Sequence, residues 1–245
     1  MCSVCGCETS DSLTSSFVQP VQKEPRLIHL EKNLLEKNNF YAECNRARLN
    51  EEGILALNFV SSPGAGKTTL LVKTIEALQA KQVIKVVEGD QQSARDADKI
   101  RASGAPAVQI NTGKGCHLEA QSVGKAFDEL QLAPADWVFI ENVGNLVCPA
   151  EFDLGELCKV VILSVTEGDD KALKYPHIFR AAKLLLISKI DLLPYVDFDL
   201  QACIAYARQV NPAIEILTLS SKSAEGLERW FDWLFQQSQQ VHVVE

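Results

Sequence analysis

Three features of the chain predict an α/β fold built on a mostly parallel sheet with helices on both faces. Short, nearly continuous apolar runs alternate with segments of helical periodicity, the 245 residues are 47% apolar, and a glycine-rich segment joins one apolar run to a helical one. The strand-like runs are 54–60, 83–88, 107–110, 136–141, 159–165, 183–188 and 214–217. Helical segments follow at 67–80, 93–103, 117–130, 199–210 and 226–238. In such a sheet, binding residues belong at the C-terminal ends of the strands.

A chain of this length buries one substantial core without disulfides, so one main domain over 26–245 is expected after a flexible, polar tail over 1–25. Leu27, Leu30, Leu34, Leu35, Tyr41 and Ala42 recur at helical spacing and predict an amphipathic helix over 27–49 that docks on that domain. The net charge of −8 repels nucleic acid and anionic membranes alike, so neither is expected as a partner. No basic region leads into an apolar stretch and no apolar run approaches about 20 residues, so a cytoplasmic protein is expected. The eight cysteines then read as thiols, with metal ligation open to any that cluster.

The segment Ser61-Ser62-Pro63-Gly64-Ala65-Gly66-Lys67-Thr68, followed by Thr69, lies between a strand and a helix, as a nucleoside-triphosphate phosphate loop requires. Gly64 and Gly66 let the backbone N–H groups of the loop, including that of Ala65, turn onto phosphate oxygens. Lys67 reaches the β and γ oxygens, and the Thr68 hydroxyl can ligate Mg2+. Ser61 stands where the usual pattern has Gly. Two further strand ends put a carboxylate near the γ-phosphate: Asp90 after 83–88, and Glu141 after 137–140, with Gly144 offering a backbone N–H. Capping or solvated loops remain the alternative for Asp90 and Glu141.

Ser188-Lys189-Ile190-Asp191 ends another strand and is similar to the guanine-reading Asn-Lys-x-Asp of GTPases. A carboxylate at Asp191 accepts from both N1–H and the 2-amino group of guanine, whereas adenine would leave it facing an acceptor. Lys189 lays its stem along the base, and Ser188 replaces the usual Asn. Ser220-Ser221-Lys222, after 214–217, resembles the Ser-Ala-Lys element of the same proteins, so GTP is expected over ATP.

Cys2, Cys5 and Cys7 place three thiols within the first seven residues, a soft donor set suited to Ni2+ or another borderline ion. A redox pair or a lipid-modified cysteine is the alternative. Cys116-His117 with Cys148 forms a second candidate cluster, and Cys148 lies four residues after Gly144, in the segment that should respond to the γ-phosphate. Three donors leave a tetrahedral ion open to a water or to a second copy of the chain. Cys44, Cys158 and Cys203 lie in periodic segments and read as core or helix-surface thiols.

These segments together resemble the HypB hydrogenase-maturation GTPases over residues 27–240. The likeness rests on the phosphate loop through Leu70, Glu88-Gly89-Asp90-Gln91-Gln92, 112–120, 141–149 and 190–195. The resemblance implies a P-loop GTPase fold of the SIMIBI type, hydrolysis of GTP to GDP, and a nucleotide-dependent homodimer. It further implies Ni2+ or Zn2+ on Cys116, His117 and Cys148, and delivery of Ni2+ with a HypA-type metallochaperone to the large subunit of [NiFe]-hydrogenase. The competing readings are an accessory GTPase of the urease type and a nickel- or zinc-sequestering protein whose nucleotide is structural.

Overall fold

The computed structural model describes residues 25–90, 95–113 and 115–241, with side chains from Lys32 onward. Among the described residues seven strands form one sheet: β1 (Leu55–Ser61), β2 (Ile84–Asp90), β3 (Ala107–Asn111), β4 (Trp137–Glu141), β5 (Cys158–Ser164), β6 (Ala182–Ser188) and β7 (Glu215–Thr218). Every pairing is parallel, in the order β3-β2-β4-β1-β5-β6-β7. All seven β1 residues are buried, as expected of a central strand covered on both faces.

Successive strand residues point to opposite faces, and this divides the core in two layers. Leu55, Leu57 and Phe59 of β1 face α2 (Lys67–Leu78), α3 (Arg95–Ala102) and α8 (Leu227–Val241). Here Trp230 is fully buried and its indole N–H donates to the Thr74 hydroxyl at 2.9 Å. Ala56, Val138 and Ile140 face α1 (Pro25–Glu51) and α4 (Ala120–Leu130). Val161, Leu163 and Leu185 pack beneath α5 (Lys171–Lys174), α6 (Pro176–Ala181) and α7 (Leu200–Val210).

All seven expected strands are present. Helix α4 begins at Ala120 rather than at residue 117, so His117 belongs to a loop. The short helices α5 and α6, and 3-10 turns at Cys148–Ala150 and Ile190–Tyr195, went unread in the sequence. The expected N-terminal helix exists as α1, but its docking surface differs. Leu34 is exposed, and the buried face is Asn38, Ala42, Asn45 and Leu49. Asn38 accepts from the Ala120 N–H at 2.8 Å, supplying the cap that Glu119 does not give α4. Asn45 donates to the Ala120 and Leu154 carbonyls, both at 2.9 Å.

Candidate functional site

The phosphate loop leaves β1 in the middle of the sheet and enters α2 at Gly66, whose φ of 102° is open to glycine and strained for other residues. The first-turn N–H groups of α2 face a cavity of about 560 Å³ lined by Gly64, Gly66, Lys67, Thr68, Thr69, Asp90, Glu141 and Gly144. Register explains the convergence: Glu141 lies opposite Phe59 of β1 on one side and Glu88 of β2 on the other.

Lys67 is 8% exposed and donates to the Ser61 hydroxyl at 2.8 Å. Burial lowers its pKa, against the pull of Glu141 and other nearby carboxylates. Thr68 donates its hydroxyl to Glu141 Oε1 at 2.7 Å. Burial pushes Glu141 up to about 7, with Lys67 and the Thr68 hydroxyl opposing. Glu88 is 2% exposed and is pushed up to about 8 by burial, then by Glu141 and Asp90. Among the described residues, neither Glu88 Oε2 nor Glu141 Oε2 has a hydrogen-bond partner.

A second cavity of about 250 Å³ shares Gly66, Thr69 and Lys189 with the first. It is lined further by Ala65, Ser188, Asp191, Ser220, Ser221 and Lys222, which places the sequence-expected base-reading residues at one site. Asp191 Oδ1 accepts from the Ser220 hydroxyl at 2.6 Å, which fixes the carboxylate. Lys189 donates to the Gly64 carbonyl at 2.7 Å, and Ser188 to the Ala65 carbonyl at 2.8 Å. The serine therefore ties the base strand to the phosphate loop.

In the loops after β3 and β4, Cys116, His117 and Cys148 bring their donor atoms within 4.8 Å of one another. The two sulfurs are 2.7 Å apart, and His117 Nδ1 is 3.6 Å from Cys116 Sγ. The Cys116 thiol is raised by its hydrogen bond to Cys148 and then by burial, while burial lowers His117. The Phe152 ring, 3.7 Å from the imidazole centroid to centroid, holds His117 in place. Two sulfurs that bind as soft thiolates, together with a neutral imidazole, suit Ni2+ or Zn2+. Cys44 lies on the surface of α1, Cys203 is buried, and burial pushes Cys158 and Cys203 up to about 12. Cys2, Cys5 and Cys7 lie outside the described residues.

The sequence model of the family described as CobW/HypB/UreG, nucleotide-binding domain, matches residues 55–218. The hydrogenase maturation factor HypB of Azotobacter chroococcum mcd 1 is 56% identical over 218 residues, spanning 89% of this chain and 72% of that protein. The chain belongs to the HypB family. A hydrogenase/urease maturation factor HypB of Helicobacter pylori J99 is 40% identical, over 91% of this chain and 94% of that protein. The crystal structure of a Helicobacter pylori HypB in complex with nickel superposes with a TM-score of 0.79 at 41% identity, covering 83% of this chain and 96% of the other. The P-loop fold expected from the HypB resemblance is thus the fold found.

Several residues of this HypB-family site escaped the sequence reading as individuals. Glu88 lies two residues before Asp90 and so on the same face of β2, and this period was the available signal. Asn142 and Asn145, between Glu141 and Cys148, carry no motif of their own beyond the family segment. Phe152 gave no signal at all, since its partner His117 is remote in sequence.

Proposed function

We propose that this chain is a GTP-hydrolysing nickel metallochaperone that helps load Ni2+ into the large subunit of [NiFe]-hydrogenase. One observation carries the reading: the single segment 141–148 presents Glu141 and Gly144 to the phosphate cavity and Cys148 to the thiol–imidazole cluster. A change at one end has a short, continuous path to the other.

Asp191 would accept from guanine N1–H and the 2-amino group, with its carboxylate already set by Ser220. Lys67 and the α2 N-terminus would balance the charge of the β- and γ-phosphates. Buried carboxylate oxygens of Glu88 and Glu141 that have no partner among the described residues, beside the Thr68 hydroxyl, fit a hard divalent cation. Thr68, Asp90 and Glu141 would hold Mg2+, which supplies charge neutralisation at the β and γ oxygens.

Nickel is cargo in this scheme, held by Cys116, His117 and Cys148 and released when GTP becomes GDP. Zn2+ would suit the same donors. A homodimer formed with GTP would let a second copy complete the coordination, and a HypA-type metallochaperone would share the transfer. The hydrogenase role and the nickel follow the names of relatives 40–56% identical and of a nickel-bound structure. We further assign residues 26–245 to one GTPase domain, residues 1–25 to a tail whose Cys2, Cys5 and Cys7 form an additional nickel site, and the whole to the cytoplasm. The urease-related name of one relative favours a second client, a urease, served by the same chemistry.

The test is a Ni2+ titration of the full chain with GDP and with a non-hydrolysable GTP analogue, alongside turnover of GTP and ATP. Nickel affinity that ignores the nucleotide, or ATP turned over as well as GTP, overturns the proposal.

A further inference from the structure

Both ends of the loop bearing Cys116 and His117 are fastened to the rim of the phosphate cavity. At its start, Thr112 donates its N–H to the Asp90 carbonyl at 3.0 Å, and its hydroxyl closes the turn on the Gly115 carbonyl at 3.0 Å. At its end, Leu118 donates its N–H to Asn142 Oδ1 at 3.3 Å, an oxygen that also accepts from the Val143 N–H at 3.0 Å. The buried Leu118 side chain lies against Gly89, where even one added β-carbon would come within 2.8–2.9 Å of it.

Strand geometry explains why the fastening works across the sheet. Neighbouring residues of a strand point to opposite faces; Glu88, Gly89, Glu141 and Asn142 all border the phosphate cavity, but it is Gly89 and the Asn142 side chain that also meet Leu118 of the metal loop. A shift of either strand end that followed the γ-phosphate would thereby reach Leu118. Asn142 is also pinned from behind: its Nδ2 donates to Asn58 Oδ1 at 3.2 Å, and Asn58 donates to the buried Glu156 at 3.1 Å, which takes Lys159 at 2.7 Å. With one side fixed in the core, a rotation at Glu141 would move the Leu118 end.

We propose that Asn142 is the positioning residue that transmits nucleotide state to the Cys116–His117 pair, through its hydrogen bond to Leu118. This rests on the proposed coupling of GTP to metal affinity and names the contact that carries it. Linkage makes the coupling reciprocal, so one factor should appear in both metal and nucleotide affinities.

The experiment uses the full chain with Cys2, Cys5 and Cys7 changed to Ser, so that only the internal cluster is read. Ni2+ affinity is measured by chelator competition with GDP and with a non-hydrolysable GTP analogue to give one ratio, and the factor by which Ni2+ changes the analogue-to-GDP preference of the chain gives the second, so that both close one thermodynamic cycle. In the otherwise unaltered chain the two ratios should agree, within the roughly 5- to 150-fold range of such couplings. Asn142→Ala should bring both below about twofold. Because this substitution empties a buried site, amide exchange at Leu118 is followed in the unaltered chain as well. Its protection should differ between GDP and the analogue. If the unaltered chain shows no ratio, the functional reading fails and this inference with it. If the unaltered chain responds while Asn142→Ala responds equally, or if Leu118 protection is identical in both nucleotide states, the inference alone is overturned.

Discussion

The Lys67 ammonium donates to the Ser61 hydroxyl at 2.8 Å, so the residue that departs from the usual phosphate-loop pattern is the one that holds the loop's cation. Lys67 is buried, and a hydrogen bond to a buried charge contributes about 1.5–3 kcal/mol. Phosphate oxygens would take over this role in the nucleotide complex. Ser61→Ala should therefore destabilise the nucleotide-free chain by about that amount and the complex by less. Thermal unfolding with and without GDP measures both. Equal losses in the two states would mean that Lys67 keeps Ser61 as partner throughout.

At the base site, Ser220 orients Asp191 at 2.6 Å, and discrimination rests on two acceptor oxygens facing two guanine donors. Asp191→Asn turns one acceptor into a donor, which opposes the 2-amino group but matches the 2-oxo group of xanthine. GTP affinity should fall on the order of 100-fold, from unmatched groups worth about 1–3 kcal/mol each, while xanthosine triphosphate gains. Fluorescent-nucleotide competition reads the change. Unaltered preference for GTP would remove Asp191 from base recognition.

The β-strands were legible because central parallel strands are buried on both faces and so read as unbroken Val, Ile and Leu runs. The phosphate loop was legible because its chemistry is local: consecutive N–H groups, one Lys and one Thr. The docking of α1 was not, because Asn38 and Asn45 reach carbonyls and N–H groups 75 to 115 residues away, and no local pattern encodes that. Leu34, counted toward an apolar stripe, is exposed instead. Helices α5 and α6 span four and six residues, too short for a 3.6-residue period to show. The metal cluster was legible in its members, since Cys116-His117 and Cys148 were read as one candidate set, but the distances that close it depend on how the loops leave the strand ends.

Glu88 and Glu141 give the nucleotide-free chain an unusual dependence on pH. Their folded-state values, about 8 and about 7, lie above the ordinary 4.5. Between those limits the folded chain holds protons that the unfolded chain has released. Stability from these groups is thus full below pH 4.5 and is lost as pH rises through 7 to 8. A tenfold difference in proton affinity is worth about 1.4 kcal/mol, and relaxation of the buried site reduces the total, so the loss is on the order of a few kcal/mol. Urea unfolding without Mg2+ should show a midpoint that falls from about pH 5.5 to about pH 8, and Glu88→Gln should flatten the fall. A Glu88→Gln chain with the same slope would show that Glu88 is ionised in the fold.

Metal binding should depend on pH in the opposite sense. The hydrogen bond between Cys116 and Cys148, aided by burial, holds the Cys116 thiol above its ordinary 9.0, while burial keeps His117 below 6.5 and so neutral near pH 7. Thiolates, not thiols, bind the ion, so Ni2+ must expel the Cys116 proton, while the imidazole has none to give up. With the tail cysteines changed to Ser, log affinity should rise by about 1 or more for each step of one in pH between about 7 and 8.5. Cys148→Ser removes the thiol that holds Cys116 protonated, so the Cys116 pKa should drop and its alkylation at about pH 8 should quicken. Chelator competition across pH and timed iodoacetamide labelling measure the two effects independently. A slope near zero would mean that neutral donors hold the ion, and unchanged labelling would mean that the 2.7 Å sulfur contact does not govern the thiol.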